Sequence, residues 1–249
     1  MIHVVLAGAS GRTGREVAKA AVRADDIEVV GAVGHASVGK DLGEVLGLGP
    51  LGVRIAHSPD ALATGARTVW VDFTKAAPAR VNVPKALRRG WPAVVGTTGL
   101  SAEDLAAFAQ AAEDGAVGVA VVANFSLGAG LSARLAALAF DLFPHAEIIE
   151  QHGSHKLDRP SGTAAALASD LARRSPDRAQ VPVHSVRLPG LVAHQEVLFG
   201  GAGETITIRH DVYGREAYAA GALAAIRHIG QVHGLVTDVA DLWESAVGP

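Results

Sequence analysis

The sequence contains no cysteine. Disulfide bonds, thiolate nucleophiles and thiolate-ligated metals are therefore excluded as sources of stability or chemistry. Aromatic residues are also scarce, at 4% of the chain, whereas alanine is frequent and glycine occurs 29 times. Small residues allow helices to lie close against a sheet, a composition typical of α/β proteins. Because the lack of cysteine suits a reducing compartment, we expect a cytoplasmic protein.

The chain also has little net charge and no long apolar run. Its 22 Lys and Arg residues against 25 Asp and Glu residues give a formal charge of −3, so no basic surface for nucleic acid is expected. Every apolar run falls short of the roughly 18 residues that a membrane-spanning helix needs. The apolar start, Met1–Ala7, lacks a basic lead and predicts a strand rather than a signal peptide. We expect a soluble protein that binds neither nucleic acid nor membranes.

In the first half of the chain, short apolar runs alternate with amphipathic stretches. This pattern predicts strand–helix–strand units with parallel strands and right-handed crossovers, and hence a Rossmann-like doubly wound parallel sheet. The predicted strands are Ile2–Ala7, Ile27–Val33, Thr68–Phe73, Ala93–Val95 and Val117–Val122. The predicted helices are Arg12–Arg23, Ala76–Arg89 and Ala102–Asp114.

The pattern changes in the second half, where strand-like runs follow one another without helices between them. Such runs predict an open antiparallel or mixed sheet in a second α+β domain. The predicted elements are helix Ala129–Leu142, strand Glu147–His152, helix Thr163–Arg174, a connector at Ser175–Pro182, strands His184–Leu188, Gln195–Phe199 and Thr205–His210, and helices Glu216–Ile229 and Val236–Ser245. We expect residues 125–212 to form this domain, inserted into a dinucleotide-binding domain of residues 1–124 and 213–249.

A glycine-rich turn, Gly8-Ala9-Ser10-Gly11-Arg12-Thr13-Gly14, follows the first predicted strand and leads directly into a helix. Glycines let the backbone approach a pyrophosphate, and a helix N-terminus offers free N–H groups and a favourable dipole. The spacing is not the commoner Gly-x-Gly-x-x-Gly, and a turn that merely tolerates glycine is the alternative. Its position between a strand and a helix favours a dinucleotide site.

The second predicted strand ends without the acidic residue that usually binds the adenosine ribose. Gly34 and His35 stand at its end. Strict use of NAD is therefore disfavoured, and His35 together with Arg12 leaves room for a 2′-phosphate. The expected cofactor is NADPH or NADH.

The segment Glu150–Thr163 carries the most chemistry. An apolar strand delivers His152, which can donate or accept a proton near neutral pH, and Lys156 can protonate or polarise an anionic centre. The helix that follows begins at Ser161-Gly162-Thr163 and would present hydroxyl and N–H groups to a carboxylate. Such a loop suits a small, anionic, reducible substrate.

Simpler interpretations of the same segment remain open. Ser161 is also an ordinary helix N-cap, and the histidines and lysine also suit a solvated loop. A metal at His152 and His155 is disfavoured, because this spacing does not align two ligands on a strand and no carboxylate completes the set.

In this order, the motifs resemble the 4-hydroxy-tetrahydrodipicolinate reductase (dihydrodipicolinate reductase) family. The matching segments are Gly8–Gly14, Val71–Thr74, Val95–Gly99, Ala123–Ser126, Glu150–Ala164, Val186–Glu196 and Glu204–His210, and they cover nearly the whole chain. Several are modest signals individually. The string His-x-x-x-Lys-x-Asp-x-Pro-Ser-Gly-Thr from His152 to Thr163 is specific.

The resemblance implies a nicotinamide-dependent reduction of a cyclic dicarboxylate in lysine and diaminopimelate biosynthesis, giving tetrahydrodipicolinate with loss of water. It implies that His152 and Lys156 are the acid–base pair, that the enzyme is a homotetramer built through its second domain, and that the substrate is bound at Gly153, Ser161, Gly162 and Thr163. The residues expected to bind the cofactor are Gly8, Ala9, Ser10, Gly11, Arg12, Thr13, His35, Phe73, Gly96, Thr97, Thr98, Val122, Ala123, Asn124 and Phe125.

Three positions depart from the family pattern. Gly153 replaces a second histidine, Arg159 replaces the alanine of Asp-Ala-Pro, and Gly34 replaces the acidic cofactor residue. Because two of these changes alter the substrate loop, a reductase of another cyclic imine or enamine carboxylate is the nearest alternative. A nucleotide-binding sensor without turnover is a further alternative, against which the presence of both His152 and Lys156 argues.

Overall fold

The structure is a computed structural model that describes residues 1–62, 65, 68–143, 145–174, 180–238 and 242. The chain forms two compact units: unit 1 comprises Met1–Ser126 and Tyr218–Pro249, and unit 2 comprises Leu127–Ala217. Among the described residues, no helix combines the length and the apolar character needed to cross a membrane.

The elements are numbered in chain order. The strands are β1 (Ile2–Ala7), β2 (Ile27–Val33), β3 (Ile55–Ala56), β4 (Thr68–Asp72), β5 (Ala93–Val95), β6 (Gly118–Val121), β7 (His145–His152), β8 (Val183–Arg187), β9 (Ala193–Gly201), β10 (Glu204–Val212) and β11 (Gly234–Val236). The helices are α1 (Arg12–Arg23), α2 (Leu42–Leu46), α3 (Ala76–Arg88), α4 (Ala102–Asp114), α5 (Leu127–Leu142), α6 (Gly162–Arg174) and α7 (Ala217–His228).

The strands of unit 1 form one parallel sheet in the order β11-β6-β5-β4-β1-β2-β3. Alternation along β1 shows that both faces are covered. Val4 and Leu6 belong to a core cluster with residues of α1 and α7, whereas Val5 and Ala7 belong to a second cluster with residues of α3 and α4. Because neighbouring side chains of a strand point to opposite faces, this packing confirms the predicted Rossmann-like doubly wound sheet.

Unit 1 also contains elements that the sequence pattern does not predict. The helix α2 and the strand β3 have only five and two residues, too few to show a periodicity. The predicted helix Val236–Ser245 is wrong at its start, because Val236 ends β11 and pairs with Ala120 of β6. Residues 239–241 and 243–245 of that prediction lie outside the described part of the chain.

Unit 2 contains a four-stranded sheet in the order β10-β9-β7-β8, in which β8 runs parallel to β7 and the other pairs are antiparallel. The predicted open mixed sheet is therefore confirmed. The strands β9 and β10 are longer than predicted because they form a hairpin around Ala202 and Gly203, whose φ of 83° suits glycine. Of the predicted connector, residues 175–179 lie outside the described residues.

Helices α5 and α6 cover one face of this second sheet. Phe140, Leu167 and Leu171 of the helices pack in one cluster with Ile148 of β7 and Phe199 of β9. Because alternate residues of a strand share a face, two polar residues of β7, Glu150 and His152, lie on the same side as Ile148. At the C-terminal end of β7, the helix-covered face of the sheet is therefore polar.

Candidate active site

The glycine-rich turn of unit 1 is built so closely that two of its positions require glycine. Gly8 has a φ of 80°, and a Cβ there would lie 2.6 Å from the carbonyl oxygen of Phe73. A Cβ on Gly14 would collide with the carbonyl oxygen of Gly8. The turn therefore does more than tolerate glycine: it needs glycine to bring the strand end, the next loop and the helix together.

The start of α1 leaves backbone donors available at this turn. Gly11 is the N-cap and has no side chain to bind the first-turn N–H groups. Ser10, Gly11 and Arg12 are exposed and Thr13 is half-buried, whereas Ala9 is buried. Uncapped N–H groups at a helix N-terminus are suited to an anion. The turn therefore fits a phosphate group.

The other predicted cofactor residues follow neighbouring strands of the same sheet. Phe73 follows β4, Gly96–Thr98 follow β5, Val122–Phe125 follow β6 and His35 follows β2. The carboxyl ends of parallel strands lie at one edge, where α/β sheets bind their ligands. The rings of Phe73 and Phe125 lie 5.5 Å apart, and a Cβ on Gly96 would collide with the ring of Phe73.

A buried carboxylate, Asp72, connects two of these loops. It accepts hydrogen bonds from the hydroxyl of Thr74 (2.6 Å), the hydroxyl of Thr97 (2.9 Å) and the indole N–H of Trp70 (3.2 Å). Burial raises the pKa of Asp72, against the opposing effect of these donors. The sequence analysis assigns no role to Asp72. An acidic residue at the end of an apolar strand could have indicated one.

In unit 2, Glu150 is the centre of the polar end of the sheet. Its side chain is completely buried and accepts two hydrogen bonds from the guanidinium of Arg187, at 2.6 and 2.9 Å. It also contacts Nδ1 of His152 at 2.5 Å and accepts the N–H of Ser161 at 3.2 Å. Burial alone raises the pKa of Glu150, but the hydrogen bonds from Arg187, Ser185 and His152 outweigh it and bring the pKa to about 2.

The predicted acid–base residues lie on the same strand end and loop. The side chain of His152 is 17% exposed, and burial, together with the positive charges of Lys156 and Arg187, lowers its pKa despite the opposing effect of Glu150. Lys156 pairs with Asp158 at 2.8 Å, and this hydrogen bond lowers the pKa of Asp158. His152 is therefore neutral near pH 7, and a cation lies close to it.

The start of α6 has the predicted form. The hydroxyl of Ser161 accepts the N–H of Ala164 at 3.3 Å, so Ser161 is an N-cap and is itself buried. Gly162 and Thr163 are exposed, and a Cβ on Gly162 would meet open space. Among the hydrogen bonds of the described residues, the cap accepts one first-turn N–H group and none involves the N–H groups of Gly162 and Thr163, so these donors are available to a ligand.

The space beside Gly153, the position that departs from the family pattern, is filled by the ring of His155. A Cβ on Gly153 would lie 2.7 Å from Cε1 of His155 and 3.0 Å from the carbonyl oxygen of Leu191. The imidazole of His155 thus occupies the space that a side chain at residue 153 would need. Arg159, the other departure in this loop, is exposed.

Sequence reasoning missed two residues of this cluster, Glu150 and Arg187, as contributors to the site. The available signal was a charged residue within each predicted strand, since such residues are rarely buried unless paired. Among the described residues, no three His, Asp or Glu side chains are grouped so that they could hold a metal ion.

The chain is similar to known proteins over its whole length. Family models described as the N-terminus and the C-terminus of dihydrodipicolinate reductase match residues 2–125 and 125–242. A 4-hydroxy-tetrahydrodipicolinate reductase of Moorella thermoacetica is 45% identical, with 98% of each chain covered. That of Synechococcus elongatus strain PCC 7942 is 41% identical, covering 94% of this chain and 96% of the relative.

A solved structure shows the same fold. The dipicolinate-bound dihydrodipicolinate reductase of Paenisporosarcina sp. TG-14 superimposes with a TM-score of 0.84 at 33% sequence identity, covering 97% of this chain and 99% of that one. With family models matching both halves of the sequence, the family predicted from the motifs is confirmed: this chain belongs to the dihydrodipicolinate reductase family.

Proposed function

We propose that this chain catalyses the NADPH- or NADH-dependent reduction of 4-hydroxy-tetrahydrodipicolinate to tetrahydrodipicolinate, with loss of water, in lysine and diaminopimelate biosynthesis. The observation that carries the proposal is that one loop, Glu150–Thr163, joins a carboxylate-bound histidine, a lysine and a helix start whose first two residues are exposed. The chain around this loop matches reductases of that name over 94% and 98% of its length. The test is oxidation of NADPH on addition of this substrate.

We assign cofactor binding to the domain formed by residues 1–124 and 213–249, and substrate binding and oligomerisation to residues 125–212. The glycine turn before α1 would hold the pyrophosphate, because its uncapped N–H groups suit an anion. The loops after β4, β5 and β6 would bind the nicotinamide and its ribose. Close packing of Phe73, Gly96 and Phe125 gives these loops a fixed shape.

Reduction of a carbon–nitrogen or carbon–carbon double bond requires one hydride and one proton, and reduced nicotinamide supplies the hydride when bound. His152 is neutral near pH 7 and can accept or relay a proton, whereas Lys156 as an ammonium can donate one or stabilise negative charge. The N–H groups of Gly162 and Thr163 would bind a substrate carboxylate. Loss of water from the 4-position breaks the C–O bond and a neighbouring C–H bond. The same pair can accept the proton from carbon and deliver a proton to the departing hydroxyl, so that this step consumes no net proton.

Cofactor choice follows from Gly34 at the end of β2. With no acid there, nothing repels a 2′-phosphate and nothing anchors a 2′-hydroxyl, so we expect NADPH to be used at least as well as NADH. In Gly34→Asp, a Cβ fits with a small shift of Ile55 at 3.1 Å. The new carboxylate should remove one charge-assisted contact with the 2′-phosphate of NADPH. The ratio of kcat/KM for NADPH to that for NADH should therefore fall by about tenfold or more.

The matched control for cofactor choice is Gly34→Asn, which adds the same volume and an acceptor without a negative charge. Its preference should move less than that of Gly34→Asp. A strong preference of the unmodified protein for NADH would contradict the reasoning.

The second carboxylate of the substrate needs a further cation, and we propose Arg159. Gly153 has no side chain and offers only its backbone. The ring of His155 fills the space beside it. Arg159→Ala should raise the Kd of dipicolinate, and the KM of the substrate, by about tenfold while lowering kcat less, the sign of lost ground-state binding. Arg174→Ala is the control, since Arg174 lies at the other end of α6 in an exposed pair with Asp141.

The alternative substrate class gives the opposite result. If the loop accepts a monocarboxylate cyclic imine, Arg159→Ala leaves dipicolinate binding unchanged and turnover of the monocarboxylate exceeds that of the lysine-pathway substrate. The observation that favours this second candidate is the packing of His155 against Gly153, which changes the surface of the loop.

We further propose a cytoplasmic homotetramer assembled through residues 125–212. Leu131, Leu135 and Leu138 form an exposed apolar stripe along α5, and β10 is an edge strand that exposes Ile206. Exposed apolar patches and unpaired strand edges are typical of subunit interfaces. Light scattering of the purified protein measures the assembly, and a monomer would contradict it.

A further inference from the structure

Glu150 and Arg187 form a buried ion pair in unit 2 that contacts the His152 ring, the backbone of the Lys156–Asp158 segment and the start of α6. The side chains of the two residues are 0% and 2% exposed. Glu150 binds His152 on its own strand and the N–H of Ser161 at the start of α6. Arg187 lies on β8, the neighbouring parallel strand, directly opposite His152 in the register. One ion pair therefore joins two strands and a helix start.

The ionised state of Glu150 determines where His152 carries its proton. With a pKa of about 2, Glu150 is a carboxylate at neutral pH and can only accept hydrogen bonds. Nδ1 of His152, which lies 2.5 Å from Oε2 of Glu150, must therefore carry hydrogen. Because the lowered pKa keeps the ring neutral, the lone pair lies on Nε2. The ring nitrogen remote from Glu150 is then the one that can accept a proton.

Arg187 acts on the lysine side of the loop as well as on Glu150. Its guanidinium donates to the carbonyl oxygen of Asp158 at 2.7 Å and to that of Lys156 at 3.3 Å. These carbonyl oxygens belong to the segment that presents the Lys156 ammonium. The planar fork of an arginine can bind the carboxylate and both carbonyls, which a lysine at this position cannot do.

We infer that Glu150 and Arg187 are positioning residues for the reaction: Glu150 fixes the tautomer of His152 with its lone pair on Nε2, and Arg187 holds Glu150 and the Lys156–Asp158 segment in one arrangement. The inference rests on the proposed function for its kinetic consequences. Its structural part, the tautomer, holds independently of any substrate.

The first test is the ¹⁵N spectrum of the histidine rings of the full-length protein at neutral pH, with His152 identified by its absence from the His152→Asn protein. Wild type should show a protonated Nδ1 and an unprotonated Nε2. A wild-type His152 protonated on Nε2 alone overturns the inference without the need for a variant. The measurement needs no substrate, so an inactive protein that shows the expected tautomer would refute the proposed function and leave the assignment of the tautomer intact.

Glu150→Gln changes the acceptor at His152 with little change in shape. Oε1 of Glu150 faces Arg187 and Ser161, and Oε2 faces Arg187 and His152. The NH₂ group of the new amide would face another hydrogen-bond donor on either side. This conflict is smallest on the His152 side, because the ring can move its hydrogen from Nδ1 to Nε2 and accept at Nδ1. The tautomer should invert, and kcat should fall by about 10²–10⁴-fold, with a smaller change in KM. Retention of both the wild-type tautomer and the wild-type kcat would refute the role of Glu150.

Arg187→Lys keeps a cation beside Glu150 but removes the fork. The tautomer of His152 should persist, whereas the KM of the substrate should rise by about tenfold, as expected for the loss of one hydrogen bond to a charged group. Ser185→Ala is the matched control, because Ser185 also donates to Glu150 but touches neither His152 nor the lysine segment in the described contacts. Equal KM values for Arg187→Lys and Ser185→Ala would show that the fork only supports the fold and would overturn the role of Arg187.

Discussion

Lys156→Ala and His152→Ala are each expected to lower kcat by about 10²–10⁴-fold, the contribution of a positioned acid–base group. The Kd of NADPH should change little, because both residues belong to unit 2 and the glycine turn belongs to unit 1. Steady-state oxidation of NADPH gives kcat, and a fluorescence titration without substrate gives the Kd. Together they separate a loss of chemistry from a loss of cofactor binding.

Two variants control for the removal of a lysine or histidine that contacts a carboxylate. Lys85 pairs with Asp60 and His184 pairs with Glu147, and all four side chains are substantially exposed. Exposed pairs of this kind contribute little to stability, and both lie outside the loop Glu150–Thr163, so Lys85→Ala and His184→Ala should keep wild-type kcat. A Lys156→Ala enzyme with wild-type kcat would refute the assignment of Lys156, and His152→Ala tests His152 in the same way.

Gly8→Ala is expected to abolish tight cofactor binding. An alanine with a φ of 80° is strained by about 1–2 kcal/mol, and its Cβ would lie 2.6 Å from the carbonyl oxygen of Phe73. Relief of that contact must move the turn or the Phe73 loop, both of which we assign to the cofactor. The Kd of NADPH should rise more than about tenfold, the effect of losing 1.4 kcal/mol of binding free energy. Titration with NADPH measures this change.

Gly90→Ala is the matched control for Gly8→Ala. Gly90 has a φ of 73°, but a Cβ there meets nothing within 4 Å. It shares the backbone strain without the collision, so it should lower the thermal midpoint slightly and leave the Kd of NADPH unchanged. Equal Kd values for the two variants would mean that the turn does not hold the cofactor.

The sequence predicts the long, regular parts of the fold well for a physical reason. Strands such as Ile2–Ala7 are buried on both faces and appear as continuous apolar runs, whereas helices such as Arg12–Arg23 are buried on one face and show hydrophobic periodicity. The short elements α2 and β3 carry no such pattern. In that region the carboxylate of Asp41 accepts the N–H groups of Gly43 and Leu51, and this loop structure becomes visible only once the chain is folded.

The candidate site is predictable where its residues are adjacent in sequence. His152, Lys156 and Ser161–Thr163 lie in one segment, and their chemistry suggests a joint role. Arg187 lies 37 residues from Glu150, and only the parallel pairing of β7 with β8 brings the two together. The packing of His155 against Gly153 likewise depends on how the loop bends. Only the tertiary structure therefore reveals the residues that position His152 and Lys156.

The activity that we propose for this chain is reduction of the lysine-pathway substrate with a nicotinamide cofactor. This activity is measured by the absorbance of NADPH after addition of freshly generated 4-hydroxy-tetrahydrodipicolinate, with the Lys156→Ala protein as the matched blank. We expect substrate-dependent loss of absorbance with the wild-type protein, at a kcat in the usual enzymatic range of about 1–10³ per second, and almost none with Lys156→Ala. If wild-type protein that binds the cofactor oxidises neither NADPH nor NADH, the proposed function is wrong.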